Sequence, residues 1–411
     1  MTINPLKVLC SIDYFLPGFA GGGPITTIAN MRELLVGGVE LAIFTRDRDL
    51  GATAAYGGIV VDAWTKTDQG RIFYASPDMF GVPGLKKITE QERFDLLYLN
   101  SFFSPHSSIK PYFWARRNHK GLPILLAPRG EFSTGALSQK RMKKKTYLTV
   151  ARNLGLYDDI QWHASTAIEK EDILRQFPTA TAIHLAEDPV KAGNDQLWRK
   201  ELQSIQDGTF NIVFISRISP IKNLDGLVRI LATLSFRVHL DIYGPIEDQG
   251  YWRKCAELIE NLPSHLSAKY KGPLAPEAVS PTFAAYDLFA FPTLGENFGH
   301  VVFEALRAST PVLMSDRTPW KTQSTGVISA LPLSDIDGWR AALERAATRT
   351  TEEKLKLRDA TRFYAANYAR NSDAICSNLS MFDAVAGQKR RSEINANTVS
   401  TKNLKERETR R

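Results

Sequence analysis

Short apolar runs alternate with amphipathic helical segments over most of the chain, and this pattern restricts the fold more than any other feature of the sequence. The predicted strands are Lys7–Ile12, Glu40–Phe44, Leu96–Leu99, Ile124–Ala127, Ile183–Leu185, Asn211–Ile215, Arg237–Tyr243, Leu288–Phe291 and Pro311–Met314. The helical patterns include Thr26–Val36, Leu224–Thr233 and Tyr251–Glu260. Because the runs are apolar throughout rather than at every second position, they predict parallel sheets that helices cover on both faces.

The strand–helix series occurs twice. A chain of 411 residues exceeds what one hydrophobic core usually holds. The stretch from about Ala186 to Gly208 is polar and lacks a clear strand, and a new series follows it. We therefore predict an α/β protein of two Rossmann-like, doubly wound domains facing a cleft: residues 1–190, a linker at 191–208, and residues 209–369. Ligands of such folds bind beyond the carboxyl ends of the strands. A helical tract, Thr351–Val385, ends the ordered chain.

Charge and cysteine usage exclude several classes of protein. The net charge is +8, but residues 388–411 carry +5 of it and have almost no large apolar residues, which predicts a basic disordered tail. The +3 that remains does not predict a nucleic-acid-binding surface. The three scattered cysteines without CxxC spacing argue against a disulfide framework and a zinc site. We find neither a signal peptide nor a membrane-spanning run, and so expect a soluble, cytoplasmic protein.

A basic cluster, Lys140-Arg141-Met142-Lys143-Lys144-Lys145, lies in a predicted helix. One interpretation is a solvated helix face. The other is attraction to an acidic acceptor or to anionic lipid headgroups, which would make the protein peripheral at the inner face of the plasma membrane.

Two glutamates stand eight residues apart where a strand, Leu288–Phe291, leads into a loop and then a helix. The stretch reads Phe291-Pro292-Thr293-Leu294-Gly295-Glu296-Asn297-Phe298-Gly299-His300-Val301-Val302-Phe303-Glu304. Backbone N–H groups near Asn297, Phe298 and Gly299 would form the helix start, which suits phosphate or sugar oxygens. Glu304 is placed to accept from a ribose diol, and Glu296 faces the transferred sugar.

Arg217 and Lys222 follow another strand, Asn211–Ile215, and precede a helix that begins near Asn223. Two cations in such a loop can hold a diphosphate and neutralise the charge on a departing phosphate. Alone, this spacing is typical of surface residues; beside the glutamate motif it predicts a donor site.

The pattern R-x4-K, followed about 75 residues later by E-x7-E with Phe-Gly between the glutamates, resembles the retaining glycosyltransferases of family 4. The likeness covers most of residues 6–385 and is most specific between Asn211 and Pro319. It implies the GT-B fold, with a C-terminal helix at about 370–386 that crosses back to the first domain. It also implies that Arg217 and Lys222 bind the donor diphosphate, Glu296 contacts the donor sugar and Glu304 holds the ribose.

The resemblance extends to the first domain. Gly21-Gly22-Gly23 matches a loop that the family places near the phosphates and acceptor, so Gly22 and Gly23 are donor-binding candidates. Pro128-Arg129-Gly130 fits a subgroup that builds bacterial surface polysaccharides or exopolysaccharides. Asn100 stands where many members carry histidine, and Asn100 cannot act as a general base. Asn100 and Arg129 are the acceptor-side candidates.

For several other motifs, a structural interpretation stands beside the functional one. Asp47-Arg48-Asp49 spells DxD, but Arg48 separates the acids, so we predict no metal site. The run Gly18–Gly23 is either a tight turn or a phosphate or acceptor loop. Four histidines lack metal-ligand spacing, although His300 adjoins the donor motif; they are His106, His119, His163 and His300. An aromatic cluster is either core or an acceptor platform; it comprises Phe102, Phe103, Tyr112, Phe113 and Trp114.

The predicted function is a retaining, metal-independent glycosyltransferase of the hexosyltransferase type with Arg217, Lys222 and Glu296 as catalytic residues. Its co-substrate is a nucleotide-diphosphate sugar, and we expect no cofactor. Its acceptor is a saccharide or a lipid-linked molecule. A sugar-nucleotide epimerase on the same fold and a non-catalytic nucleotide-sugar-binding protein remain alternatives. The base, the sugar and the linkage stay open.

Overall fold

The structure, a computed structural model, describes residues 5–139, 141–192 and 209–387. The predicted tail lies outside these residues, as do Lys140 and all of the predicted linker except residues 191 and 192. Contacts divide the chain into two units. The first contains residues 5–132, 141–189 and 373–387, and the second contains 133–139, 190–192 and 209–372.

The first unit is built on an eight-stranded sheet in the order β3-β4-β2-β1-β5-β6-β7-β8. Its strands are β1 Leu6–Ser11, β2 Val39–Arg46, β3 Trp64–Thr67, β4 Gly70–Ala75, β5 Leu96–Asn100, β6 Ile124–Ala127, β7 Gln161–Ala164 and β8 Ile183–Leu185. All neighbouring pairs are parallel except β3 with β4. Every residue of β5 is buried, as expected for a central parallel strand covered on both faces.

The helices of the first unit are α1 Gly23–Leu34, α2 Val82–Gln91, α3 Lys110–Asn118, α5 Arg141–Asn153, α6 Ala167–Gln176 and α13 at 374–387. A π-helical turn, Pro105–Ile109, precedes α3. The last helix contributes Met381, Phe382 and Val385 to the core of this unit. The Phe382 ring meets that of Tyr98 edge-on at 5.5 Å. The last described helix is therefore part of the first unit.

The second unit is built on a six-stranded parallel sheet in the order β11-β10-β9-β12-β13-β14. Its strands are β9 Phe210–Ile215, β10 Val238–Tyr243, β11 Leu266–Gly272, β12 Leu288–Phe291, β13 Val312–Ser315 and β14 Ile328–Leu331. Its helices are α4 Thr134–Ser138, α7 Leu224–Leu231, α8 Gln249–Glu260, α9 Pro276–Ala284, α10 His300–Arg307, α11 Ile336–Ala347 and α12 Thr351–Asn371. β9 and β12 are neighbours at the centre of this sheet, so the loops after them leave the same edge side by side.

Two details differ from the sequence prediction. The segment Ser133–Gln139, which we counted with the first domain, groups with the second unit. A Cβ added to Gly135 in this segment would lie 2.9 Å from Ile221 Cδ1. The predicted helical tract Thr351–Val385 is two helices, because Ser372 is extended and ends α12. Asn, Ser and Asp side chains compete for backbone hydrogen bonds, and the sequence Asn371-Ser372-Asp373 is therefore a weak helix segment.

Candidate functional site

Lys222 and Glu296 meet at the carboxyl edge of the second sheet. Lys222 is the last residue of a 3₁₀ turn, Pro220–Lys222, that follows β9, and Glu296 lies in the loop after β12. The Lys222 Nζ is 2.5 Å from Glu296 Oε2, and both side chains are largely buried. The same ammonium lies 5.4 Å from the centre of the Phe291 ring. The motifs R-x4-K and E-x7-E are thus joined by a direct ion pair.

Hydrogen bonds fix the two loops against each other. Asn223 has a left-handed conformation (φ 56°), and its Nδ2 donates to the Pro292 carbonyl at 2.9 Å. The Ile221 carbonyl accepts from the Leu294 N–H at 2.7 Å and from Thr293 Oγ1 at 3.1 Å. Lys222 and Glu296 are therefore positioned by their backbones as well as by their charges.

The next loop of the sheet supports the Glu296 segment from the other side. Ser315, at the end of β13, donates through Oγ to the Thr293 carbonyl at 2.5 Å. The Glu296 N–H donates to the Arg317 carbonyl at 3.2 Å. Such supporting bonds hold a functional loop in one conformation.

Helix α10 begins at His300, slightly later than the sequence analysis placed the helix start. Gly299 is its N-cap at φ 82°, a conformation that favours glycine. A Cβ at Gly299 would also lie 3.0 Å from Glu296 Cγ. The preceding Phe298 is buried, and its carbonyl accepts from Trp320 Nε1 at 2.6 Å. No side chain caps this helix start and no acid lies in its first turn, so the helix dipole is available to an anion.

Glu304 lies in the second turn of α10. Burial raises the pKa of its carboxyl, and the charges of His300 and Arg307 oppose this shift. A partly buried carboxylate gains from hydroxyl donors that a ligand brings, because a poorly solvated acceptor is costly to leave unpaired.

Arg217 lies in the loop after β9, and its Nη1 is 3.1 Å from Glu247 Oε2. Both side chains are a little more than one-third exposed, at 37% and 38%. Glu247 was not among the sequence-predicted site residues. The signal for it was the Gly244-Pro245 turn directly after a predicted strand, which places the next acidic residue at the same sheet edge.

The glycine-rich loop of the first unit is held by Asp49. Its Oδ2 accepts from the N–H groups of Phe19 at 2.9 Å and Ala20 at 3.2 Å. Gly22 is the N-cap of α1 at φ 74°, and Gly23 is the first residue of that helix. The other acid of the DxD sequence, Asp47, pairs with Arg48 at 2.7 Å. Both acids thus have structural partners, and the described residues contain no group of three or more acids, histidines or cysteines placed to hold a metal ion.

The acceptor-side candidates Asn100 and Arg129 are buried, so they do not face solvent as an acceptor contact would require. Asn100 is 2% exposed and the Arg129 side chain 5%. Arg129 donates through Nε to Asn100 Oδ1 at 3.0 Å and through Nη2 to the Tyr98 hydroxyl at 2.6 Å. Its Nη1 lies 2.7 Å from Asp188 Oδ1. The two residues organise the interior at the ends of β5 and β6.

His163 belongs to the same buried network. Its Nε2 donates to the Ala186 carbonyl at 2.8 Å, because a carbonyl can only accept, and its Nδ1 therefore accepts from the Tyr98 hydroxyl at 2.6 Å. Burial and the charge of Arg129 lower the pKa of His163 to about 3.

Two partly exposed polar residues that the sequence analysis did not single out, Asp13 and Arg46, lie at the ends of β1 and β2. Asp13 accepts from Ser104 Oγ at 2.9 Å and from Ser107 Oγ at 3.1 Å, and it lies 3.7 Å from the Arg46 guanidinium. Arg46 stacks over the Phe80 ring at 4.2 Å. The signal was the position of Asp13, directly after the first apolar run, Lys7–Ile12. This polar cluster is better exposed than Asn100 and Arg129 for contact with an acceptor.

The aromatic cluster of the first unit is mainly core. Phe102 and Tyr112 are buried, and Phe102 also meets the rings of Phe132 and Tyr157. Phe113 is exposed.

The basic helix α5 presents an apolar face to solvent. Met142 is 77% and Val150 46% exposed, and Leu154, directly after the helix, is 67% exposed. Lys143 and Lys145 flank this face and are exposed as well. In the part of the chain that the structure describes, no helix combines the length and hydropathy needed to cross a bilayer.

Comparison with known proteins shows that part of the second unit matches a protein family. Residues 209–348 match the family described as "Glycosyl transferases group 1". The chain is 28% identical over 158 residues to D-inositol 3-phosphate glycosyltransferase of Rhodococcus erythropolis, covering 36% of this chain and 35% of that protein. It is 28% identical over 184 residues to GDP-mannose-dependent alpha-mannosyltransferase of Mycolicibacterium smegmatis, covering 44% and 45%. The chain thus spans between a third and a half of the length of these curated relatives.

A solved structure extends the likeness to the whole fold. HepE of Anabaena, in complex with UDP and glucose, superposes with a TM-score of 0.67 at 15% identity, covering 93% of this chain and 100% of that one. This likeness confirms the predicted fold, two Rossmann-like domains of the GT-B class.

Proposed function

We propose that the protein is a retaining, metal-independent glycosyltransferase that moves a sugar from a nucleotide-diphosphate sugar to a saccharide or lipid-linked acceptor. The observation that carries the proposal is the 2.5 Å ion pair between Lys222 and Glu296, at adjacent strand ends and in the same unit as Arg217. A cation and a carboxylate held together there provide one group for a phosphate and one for a sugar hydroxyl.

Each candidate site residue of the second unit has a role in this proposal. Arg217 and Lys222 bind the donor diphosphate, and Glu296 contacts the transferred sugar. Glu304 accepts from the ribose hydroxyls. The helix start from Asn297 to Gly299 offers backbone donors and the positive end of the α10 dipole. The match of residues 209–348 to a glycosyltransferase family supports these roles.

The first unit supplies the remaining groups. Gly22 and Gly23 lie at the start of α1, whose uncapped end suits a donor phosphate. We assign Asn100 and Arg129 a positioning role, because they are buried. The acceptor then contacts partly exposed groups at the same sheet edge, among which Asp13 and Arg46 are the strongest candidates.

In the proposed reaction the bond between the anomeric carbon and the donor phosphate oxygen breaks. The acceptor hydroxyl oxygen bonds to the same face of that carbon, which retains its configuration. The hydroxyl proton passes to the departing phosphate oxygen, and the nucleoside diphosphate leaves. Arg217 and Lys222 stabilise the negative charge that develops on the leaving group, the kind of interaction that contributes most to catalysis in such sites.

We propose that the protein uses one preferred nucleotide-diphosphate sugar, whose base and sugar are to be found by experiment. The relatives include a protein named for GDP-mannose, and HepE was solved with UDP and glucose. We therefore begin with UDP- and GDP-linked hexoses.

The proposed setting is the cytoplasmic face of a membrane, in the synthesis of a polysaccharide or glycoconjugate. The exposed apolar face of α5 between lysines supports an anionic lipid surface as partner, because such a face gains from both apolar burial and charge attraction. A lipid-linked acceptor would be presented at that surface.

The test is turnover of UDP- and GDP-hexoses with saccharide and lipid-linked acceptors, with and without EDTA. We expect release of nucleoside diphosphate together with a glycosylated product whose anomeric configuration matches the donor. Nucleoside diphosphate released with an epimerised free sugar would indicate an epimerase instead. Tight donor binding without any turnover would indicate a binding protein, and loss of turnover with EDTA would contradict metal independence.

A further inference from the structure

The loop that carries Arg217 is paired along its backbone with the loop that follows β10. Ile218 and Ile246 form an isolated parallel bridge between the two loops. The Ile218 N–H donates to the Pro245 carbonyl at 2.8 Å, and the Glu247 N–H donates to the Ile218 carbonyl at 3.2 Å. The backbone of Glu247 is thus fixed beside Arg217 whatever its side chain does.

Gly244 allows this close pairing. It has φ 132°, and a Cβ there would lie 1.9 Å from the Ser216 carbonyl oxygen. The Ser216 N–H in turn donates to the Tyr243 carbonyl at 3.0 Å. The juxtaposition of the two loops is therefore built into the fold, rather than being an encounter of two long side chains.

The ion pair between Arg217 and Glu247 has little value for folding. Its atoms are 3.1 Å apart, but both side chains are more than one-third exposed. Ion pairs with such exposure are screened by solvent and contribute little to stability. A guanidinium binds phosphate through two parallel hydrogen bonds, which a more highly charged anion can offer more strongly than a carboxylate. The pair is consequently easy to exchange for a diphosphate.

We propose that Glu247 is a displaceable counterion for the donor diphosphate: it holds Arg217 in the free protein and gives way when the diphosphate binds. This inference rests on the proposed function of Arg217 as a diphosphate ligand. Glu247 differs from Glu296 in its role after the donor binds. When Lys222 binds the diphosphate, Glu296 binds the donor sugar, whereas Glu247 has no proposed ligand group. The carboxylate of Glu247 lowers the affinity for an anion that binds Arg217, because the ion pair must be broken before the anion can take its place.

The test is a calorimetric titration of wild type and Glu247→Gln with UDP, GDP, pyrophosphate and inorganic phosphate. The glutamine keeps the shape of the side chain and removes the competing charge. We expect the variant to bind the preferred nucleoside diphosphate about two- to fivefold more tightly, the range that an exposed ion pair allows. The gain should shrink at high salt, and the KM for the donor should fall without a fall in kcat.

The matched control is Glu257→Gln, which removes an exposed carboxylate from α8 in the same unit. It should leave all four affinities unchanged. In an Arg217→Ala background, Glu247→Gln should increase the affinity for the nucleoside diphosphate no more than Glu257→Gln does, because the carboxylate acts through Arg217.

The outcomes separate this inference from the proposed function. If wild type binds UDP or GDP and Glu247→Gln binds no more tightly, the counterion role is wrong and the donor site stands. If the gain persists without Arg217, Glu247 acts by general charge and the inference is also wrong. If wild type and Glu247→Gln both fail to bind any nucleoside diphosphate, the proposed donor site fails and the counterion role fails with it.

Discussion

At the scale of single residues, the proposed donor site is an arrangement of charged side chains that already have partners. Lys222 is paired with Glu296 and Arg217 with Glu247, so a diphosphate that binds here exchanges ion pairs and does not neutralise bare cations. Two carboxylates and two cations leave the ligand-free site nearly neutral. In the proposed site the donor diphosphate brings negative charge that the two cations share, and further negative charge develops on it as the sugar leaves.

Removing either cation should therefore slow turnover more than it weakens the fold. For Lys222→Ala and Arg217→Ala we expect kcat/KM for the donor to fall by about 10²–10³-fold, the usual cost of losing one charge-stabilising group. The controls are Lys254→Ala and Arg253→Ala, which remove exposed cations from α8 in the same unit. Near-normal turnover in Lys222→Ala or Arg217→Ala, measured by nucleoside diphosphate release, would contradict the assigned roles.

A second prediction at this scale concerns the stability of a Gly299→Ala variant. Its φ of 82° and the Cβ position 3.0 Å from Glu296 Cγ mean that Gly299→Ala strains the backbone and displaces Glu296. We expect a loss of about 1–2 kcal/mol in the free energy of unfolding, as for other left-handed positions. Gly295→Ala is the control, because no atom lies within 4 Å of its added Cβ. Equal melting temperatures for the two variants would show that Gly299 is not constrained.

At the scale of elements, the sequence predicted the strands that carry the site and missed several others. β9 and β12 are continuous apolar runs, so their ends and the charged loops behind them could be found directly. β11 was missed because every second residue, including Lys269 and Lys271, is exposed at a sheet edge. β7 was missed because its four residues include Gln161 and His163, whose burial depends on partners distant in sequence.

The same distinction applies to the site. The sequence predicted the two loops that carry Lys222 and Glu296, and the structure adds that their strands, β9 and β12, are neighbours. The role of Glu247 depends on a bridge between two loops, and the burial of Asn100 and Arg129 depends on Asp188 and Tyr98. Contacts of this kind join residues far apart in the chain, and a local pattern does not reveal them.

The network behind β7 predicts a specific acid sensitivity. The pKa of His163 is lowered to about 3, so between about pH 6.5 and pH 3 the unfolded chain takes up a proton there that the folded chain does not. Stability must then fall as the pH falls, by about 2 kcal/mol between pH 7 and pH 5 from this histidine alone. In His163→Gln this part of the loss should be absent. Urea unfolding of both proteins at pH 7 and pH 5 measures it, and equal losses in the two would contradict the buried neutral histidine.

Helix α5 predicts binding to anionic vesicles. Replacing Lys143 and Lys145 by glutamine should weaken binding to phosphatidylglycerol-containing vesicles roughly fivefold for each charge removed, because each lysine at such a surface contributes about 1 kcal/mol. Lys269→Gln with Lys356→Gln removes two exposed lysines from the second unit as a control. Vesicle sedimentation that shows no binding by wild type, or the same loss in both double variants, would favour a solvated helix face.

At the scale of the whole molecule, the chain has a second unit in which residues 209–348 match the glycosyl transferases group 1 family, and a first unit to which the last described helix belongs. The matched residues and the proposed donor residues Arg217, Lys222, Glu296 and Glu304 lie in the second unit. The first unit carries Gly22 and Gly23, which are also proposed for the donor, and the cluster at the end of β1.

The most direct test of the donor site is the melting temperature of wild type and Lys222→Ala with a panel of nucleoside diphosphates, each with and without EDTA. We predict that one nucleoside diphosphate raises the melting temperature of wild type, since a ligand at a hundred times its Kd stabilises the folded state by about 2.7 kcal/mol. The rise should be the same with EDTA and should be lost in Lys222→Ala. No rise with any nucleoside diphosphate, or an equal rise in Lys222→Ala, would contradict a donor site built on Lys222 and Glu296.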